Sequence, residues 1–441
     1  MDRFGKADPV ARQRHAVFAI ESLRIEILRH LLGDISYRNL AKTLCMSDLL
    51  AQFCGLHRMD GIRCASKSTL ERRSKLFTEE DLRALLGTLS EICGNADLCA
   101  MIDLEEAVDM SVCLVDSTCL ETNIHFPVDW VLLRDVSRTL LKALKLIRAE
   151  GIVCRMPWEP ERFAREMNRL CVEMTHSRRR PQSKKARKGI LRKMKKLLRT
   201  IGRHADRHAD KLREEFERTR FSETETGRIV ARIEGMSAKI GEVIQQAHER
   251  IIGGRQVPNR EKILSVYQED THVIVRGKAG KNVEFGNTLM ISENLDGYIL
   301  DWKLYKENAP SEWRQLEESM ERLNELDLEQ EIAAVCTDRG FANKSSSARL
   351  VAQGIYDATC PRDPSILRER MREEQFQQLQ RRRGGTEGRI STLKNRWLAP
   401  RVMGKSFTAR NLAVGWAVLS HNLWFMARKL AQQREKERKA A

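Results

Sequence analysis

The spacing of apolar positions changes period several times along the 441 residues. Val17, Phe18, Ile20, Leu23, Ile25, Leu28 and Leu31 recur at helical intervals until Gly33-Asp34 interrupts them, which predicts a helix stopping near residue 31. Ser36 stands as an N-cap before Tyr37-Arg-Asn-Leu-Ala-Lys-Thr-Leu44, and Ser68 with Glu71 has the spacing of a capping box that opens a further helix. Residues 110–124 alternate instead: Val112, Leu114, Leu120 and Ile124 share one side of a strand whose most apolar part ends at Asp116. Helical spacing returns over 129–256. A stripe of Val136, Leu140, Leu141, Leu144 and Ile147, a break at Pro157 and Pro160, and a second stripe of Ile229, Ile233, Met236, Ile240, Val243 and Ile244 suit an antiparallel helical hairpin.

Beyond the insertion, β-rich runs over 283–292 and 297–305 flank Asn294-Leu-Asp-Gly297, a hairpin signal. A helix is expected over 311–325, then an apolar strand from Ile332 that ends in Asp338-Arg-Gly-Phe341 and repeats the Asp116 arrangement. A helix over 343–353 and a strand over 355–360 follow. Residues 363–383 are polar and charged, expected as a helix and a mobile loop. The next helix carries Glu387, with Arg389, Ile390, Leu393, Lys394 and Trp397 at helical spacing. An apolar helix from Leu412 to Met426 precedes a charged tail expected to fray. With the insertion removed, the order is β-β-β-α-β-α-β-α, that of an RNase H-like α/β domain with a mixed sheet. The first and fourth strands are neighbours in that topology, so Asp116 and Asp338 meet. The expected organisation is a helical N-terminal DNA-binding domain (1–85), a linker and the first part of the catalytic domain (86–128), a basic helical insertion (129–256), the rest of the catalytic domain (257–405), and a C-terminal helix and tail (406–441).

Charge sharpens this outline. Lys and Arg outnumber Asp and Glu by 78 to 61, a net +17, which points to a polyanionic partner. Lys67, Arg72, Arg73 and Lys75 crowd the helix after Ser68, the arrangement of a helix-turn-helix reader of double-stranded DNA. From Arg178 to Arg203 the chain holds thirteen cations and no acid, Lys184, Lys185, Arg187 and Lys188 among them, a run suited to tracking phosphates. His204 and His208 lack a carboxylate constellation and read as polar helix residues. Gly277-Lys-Ala-Gly-Lys281 lacks the spacing of a phosphate loop, which excludes a P-loop NTPase. Eleven cysteines with no Cys-x-x-Cys pair read as reduced thiols of a cytoplasmic protein, neither zinc ligands nor disulfides. No secretory leader and no apolar run of bilayer length are evident, so no membrane association is expected.

Asp116 abuts a strand that must be buried, so it is paired, protonated, metal-bound or part of a turn-forming Asp-Ser-Thr. Glu387 is a lone acid among arginines and lysines. Together with Asp338 these carboxylates suit two Mg²⁺ (or Mn²⁺) ions about 3.5–4 Å apart. The stretch Arg383, three residues, Glu387, six residues, Lys394 fits the Tyr-(2)-Arg-(3)-Glu-(6)-Lys signature, and Asp338-Arg-Gly-Phe341 the Asp-x-Gly-aromatic motif, of bacterial DDE insertion-sequence transposases. The wider text resembles the ISNCY group, in Val115-Asp-Ser-Thr-Cys-Leu-Glu-Thr-Asn-Ile-His-Phe-Pro127, Val257-Pro-Asn-Arg-Glu-Lys-Ile263, Val283-Glu-Phe-Gly286 and Glu387-Gly-Arg-Ile-Ser391. The resemblance implies that Asp116, Asp338 and Glu387 are catalytic metal ligands. It also implies that Arg383 and Lys394 contact transposon-end DNA, and Arg389, beside them, is expected to bind DNA as well. The expected activity is cleavage at terminal inverted repeats and strand transfer into target DNA by a homodimer or larger synaptic complex. The signature tyrosine is replaced by Gln380. A catalytically lapsed, transposase-derived DNA-binding or regulatory protein and a simple RNase H-like nuclease are the alternatives.

Overall fold

The computed structural model describes residues 9–63, 65–177, 183–278, 281–326, 328, 330–398, 402, 404 and 406–440. Helix α1 (Pro9–Leu31) stops at Gly33 and Asp34, both at positive φ. Helix α2 (Tyr37–Met46) starts where Ser36 accepts the Asn39 N–H. Helix α3 (Asp48–Phe53) and a small antiparallel hairpin, β1 (His57–Arg58) with β2 (Gly61–Ile62), follow without a clear signal in the sequence. Helix α4 (Lys67–Arg73) is capped by Ser66, which accepts from Thr69 N at 3.3 Å. Glu71 meanwhile pairs with Lys67 at 3.2 Å, so the expected Ser68–Glu71 box is not the cap. A reciprocal box of Thr78 and Asp81 opens α5 (Glu79–Gly94), which runs through the expected boundary at residue 85.

Ile25, Leu28, Leu40, Leu44, Leu56 and Leu70 give the first helices a core of their own. They nevertheless belong to one compact unit with the sheet, residues up to Asn123 together with Gly286–Ala441. Buried His30 is one tie, its Nδ1 lying 3.1 Å from the carbonyl of Trp397. The cysteine expectation needs one correction: Cys45, on the exposed side of α2, is disulfide-bonded. Cys64 lies outside the described residues. The nine other cysteines form no disulfide, and seven of them are buried.

Ile124–Phe285 forms the second unit, wider than the expected insertion. Its helices are α6 (Asp129–Ala149), α7 (Pro160–His176), α8 (Ser183–Glu215), α9 (Glu223–Ala238) and α10 (Ile240–His248), followed by strand β4 (His272–Lys278). This is a bundle and not a hairpin. The cation density of α8 disguises an apolar stripe, Ile190, Leu191, Met194, Leu197, Leu198 and Ile201, that packs with Phe163, Met167, Leu170 and Met174 of α7 and with α6. Residues 178–182 of the basic run and 279–280 of the glycine-lysine stretch lie outside the described residues.

In the first unit β3 (Val112–Glu121) is central; β5 (Lys281–Glu293) enters this unit at Gly286. After β6 (Ile299–Leu304) come α11 (Glu312–Asn324), β7 (Ala334–Thr337), α12 (Lys344–Ala352) and β8 (Tyr356–Asp357). The chain then forms α13 (Pro364–Arg370), α14 (Glu374–Arg383), α15 (Thr386–Thr392) and α16 (Phe407–Ala440). The strand order is β6-β5-β3-β7-β8, with β3 antiparallel to β5 and parallel to β7, a mixed sheet in an α/β unit. First and fourth strands are adjacent, as the element order predicts. Alternation along β3 sends Cys113 and Val115 to one core with α11, and Leu114 to another with Cys336, Phe376 and Leu379. Two helices, α13 and α14, occupy 364–383, where a helix and a mobile loop were expected, and Gly384 and Gly385 adopt right-handed helical angles, so α14 turns straight into α15. The C-terminal tail is helical to Ala440, supported by pairs such as Lys429–Asp296 and Lys439–Glu435 at 2.8 Å each. No helix among the described residues is long and apolar enough to cross a membrane.

Candidate carboxylate site on the central strands

The parallel ladder of β3 and β7 pairs Val112 with Ala334 and closes on Val115 with Thr337. Asp116 and Asp338 are the next residue on each strand. Side chains alternate along a strand, so both aspartates lie on the face that carries Leu114 and Cys336. β3 continues past this point because β5 still pairs with it, Asp116 opposite Ile291, whereas β7 ends. Asp338 Oδ1 accepts the Gly340 N–H at 2.8 Å and starts the tight turn Arg339–Phe341. Gly340 leaves room beside the turn for the Glu312 carboxylate, which would have to swing aside for a Cβ. Phe341 is buried beneath the turn and anchors it.

Asp116 is half-buried, and its Oδ1 accepts the N–H of Ser117 at 2.7 Å. Burial raises its carboxyl pKa above the ordinary carboxylate value; the charges of Asp338 and Glu387 push the same way, against the Ser117 N–H and the Arg383 guanidinium. Both other acids and Arg383 therefore lie within electrostatic reach of Asp116. Glu387 occupies the exposed first turn of α15, which packs on β3. The three acids are neighbours but are not drawn into one coordination cluster. Among the described residues no group of three or more His, Cys, Asp or Glu is gathered to hold a metal ion.

What sets α15 in place is a residue the sequence reading passed over. Glu293 pairs with Leu114 across the β3–β5 ladder, so it shares the face of Asp116, yet it is only 1% exposed. Thr386 Oγ1 donates to its Oε1 at 2.7 Å, and Arg389 forms an ion pair with its Oε2. Burial raises the Glu293 pKa and the charge of Asp116 adds to the rise, while Arg389 and Thr386 oppose it. Ser292, Glu293 and Asn294, polar residues at the end of the β-rich run, are all buried.

The cations beside Glu387 have distinct tasks. Arg389 is held by Glu293, and Lys394 Nζ donates to the carbonyl of Cys119 on β3 at 2.7 Å. Gln380, at the position of the signature tyrosine, donates to the carbonyls of Thr337 at 3.1 Å and Ala358 at 2.6 Å, bracing the ends of β7 and β8. Its Oε1 accepts from Arg383 Nε at 3.3 Å, which orients that guanidinium. A polar side chain thus takes a bracing role at that position.

The other predicted DNA contacts lie elsewhere. On and after α4, Lys67, Arg72 and Lys75 are exposed, but Arg73 is buried, paired with Glu21 at 3.2 Å and lying 4.3 Å over the Phe18 ring. Arg73 is a brace for α1 and is not presented to a groove. In the second unit Lys184 and Lys185 are exposed on the first turns of α8, Arg187 and Lys188 are half-buried, and the Arg187 guanidinium lies 5.6 Å from the Trp130 ring centre. No family model, curated protein or solved structure matches the chain.

Proposed function

We propose that the chain is a metal-dependent DNA transposase of the DDE type, with Asp116, Asp338 and Glu387 as its catalytic carboxylates. The observation that carries this reading is the register of β3 and β7. Two aspartates far apart in sequence follow the last rung of one parallel ladder on one face, electrostatically coupled to each other and to Glu387. The strand order β6-β5-β3-β7-β8, the helices after β6, β7 and β8, and the resemblance of the motifs to the ISNCY group support an RNase H-like catalytic core.

The donor set fits two Mg²⁺ or Mn²⁺ ions: hard oxygen donors, one of them a carboxyl whose charge is disfavoured by burial and by like charges until a cation offsets it. Bound there, such ions supply Lewis-acid polarisation of a phosphodiester and activation of a hydroxyl nucleophile. Asp116 holds its oxygens from the middle of β3 and Asp338 from the residue just past β7, and Glu387 adds a third carboxylate from a helix pinned by Glu293. Arg383, oriented by Gln380, supplies positive charge for a DNA phosphate beside them. Hydrolysis at a transposon end and attack of the resulting 3′-hydroxyl on target DNA are both in-line displacements, so one set of carboxylates serves both. Pairing of two ends calls for a homodimer or larger synaptic complex.

The test uses duplexes carrying the flanks of the gene, with Asp116→Asn, Asp338→Asn and Glu387→Gln. Mg²⁺-dependent nicking and joining of a pre-cut end should fall at least about 100-fold in each variant, a loss of roughly 3 kcal/mol of transition-state stabilisation. Equal rates in parent and variants would remove the enzyme reading. The lapsed-transposase alternative draws on one observation, the separation of the three carboxylates. It predicts duplex binding by the parent with no Mg²⁺-dependent cleavage.

A further inference from the structure

Arg192, Lys195, Lys196, Arg199 and Arg203 fall on one side of α8, and together they line a groove of about 660 Å³ within the second unit. Gly202 forms its floor. A Cβ there would come within 2.6 Å of Ile240 Cδ1, so the absence of a side chain lets α8 and α10 approach closely beneath the cations. The acid in the lining, Asp206, accepts from Ser237 Oγ at 2.7 Å.

Several other cations of this unit are matched: Arg148 with Glu159 at 2.7 Å, Arg169 with Glu166 at 2.7 Å, Arg220 with Glu150 at 2.9 Å, and Arg250 with Asp129 at 2.8 Å. Among the described residues, none of the five groove cations is paired with a carboxylate. Lys195 Nζ instead lies 2.9 Å from His248 Nδ1, and burial together with the charge of Arg199 lowers its pKa. Like charges held side by side without ion-pair partners destabilise the free chain, and an arriving polyanion relieves that repulsion.

We propose that this groove binds the phosphodiester backbone of duplex DNA, as a sequence-independent contact carried wholly by the second unit. At 1.5 Å per residue the row from Arg192 to Arg203 spans about 16 Å, too long for one phosphate. The same helical face continues N-terminally through Lys188 and Lys185. No aromatic residue lines the groove, so it offers no platform for unstacked bases, which single-strand sites use. The preference for a backbone follows from the groove; naming DNA as the polyanion rests on the proposed function.

The experiment is a salt titration of full-length chain binding to a fluorescent duplex of arbitrary sequence. The variant Arg192→Gln/Lys196→Gln/Arg199→Gln alters exposed side chains only. Its slope of log affinity against log salt should shrink by about 2.7, at 0.9 per lost phosphate contact, and equally on unrelated duplexes. The double variant Arg192→Gln/Lys196→Gln, expected to lose about 1.8, guards against a folding defect in the triple variant, with an unchanged thermal melt as control. An unchanged slope in a folded variant would overturn the proposal, as would tighter binding of single strands than of duplex. Asp116→Asn should keep the parental slope. If the parent cleaves DNA and the slope does not move, the groove assignment alone fails. If the slope shrinks and the parent never cleaves, the enzymatic reading fails and the groove stands.

Discussion

The segment around Glu387 and the row along α8 are the two most cationic stretches of the chain, and in the sequence they look alike. Their cations have opposite fates. Beside Glu387, Arg389 is bound to Glu293 and Lys394 to the Cys119 carbonyl. On α8, Arg192, Lys196 and Arg199 are exposed without a carboxylate partner among the described residues. The first set stabilises the arrangement of an acidic site, and the second is left for an external anion. Charge density along a chain therefore does not report what the charges do.

The largest effect should come from removing the acid that the first set depends on. Glu293→Ala leaves Arg389 without its buried partner and Thr386 without its acceptor, and should cost about 3 kcal/mol in urea denaturation. Lys196→Gln should stay within about 0.5 kcal/mol. Similar losses for both would erase the contrast.

Acid should act on the first region next. His30, against Trp397 at the end of the Glu387 segment, has its pKa lowered to about 3 by burial and by the charge of Arg29. The folded chain therefore keeps His30 neutral while the unfolded chain takes up a proton below about 6.5. Its contribution is complete above that pH and is lost as pH falls from 6.5 towards 3, by about 2 kcal/mol at pH 5. His30→Gln should show a flatter pH dependence over pH 5–6.5 in the same denaturation measurement.

Divalent ions test the carboxylates directly. With its pKa raised by burial and neighbouring acids, ionised Asp116 destabilises the metal-free chain as pH rises through its folded pKa. In EDTA at neutral pH, Asp116→Asn should melt above the parent. Mg²⁺ should raise the parent's melting temperature and leave that of the variant nearly unmoved. An equal response of both chains to Mg²⁺ would sink the assignment of Asp116 as a ligand.

The smallest effect sharpens the roles of the tethered cations. Lys394→Ala removes the bond to Cys119 and should cost about 1 kcal/mol. If Lys394 serves only as a tether, the salt slope of duplex binding stays parental. A slope reduced by about 0.9 would give it the phosphate contact that the resemblance implies.

Sequence by itself determined what local chemistry dictates. The stop at Gly33-Asp34, the Ser36 cap, the strands leading to Asp116 and Asp338, the helix of Glu387 and the cationic row on α8 all follow from side-chain period, capping and turn preference within a few residues. At the start of α4 the capping-box spacing pointed to Ser68, and the backbone is capped by Ser66 instead. Tertiary structure alone decided the rung that sets Asp116 level with Asp338, the burial of Glu293 and Arg73, and the merging of the first helices with the sheet. The physical reason is that burial and the partner of a charge depend on residues brought together from distant parts of the chain, which no local spacing encodes.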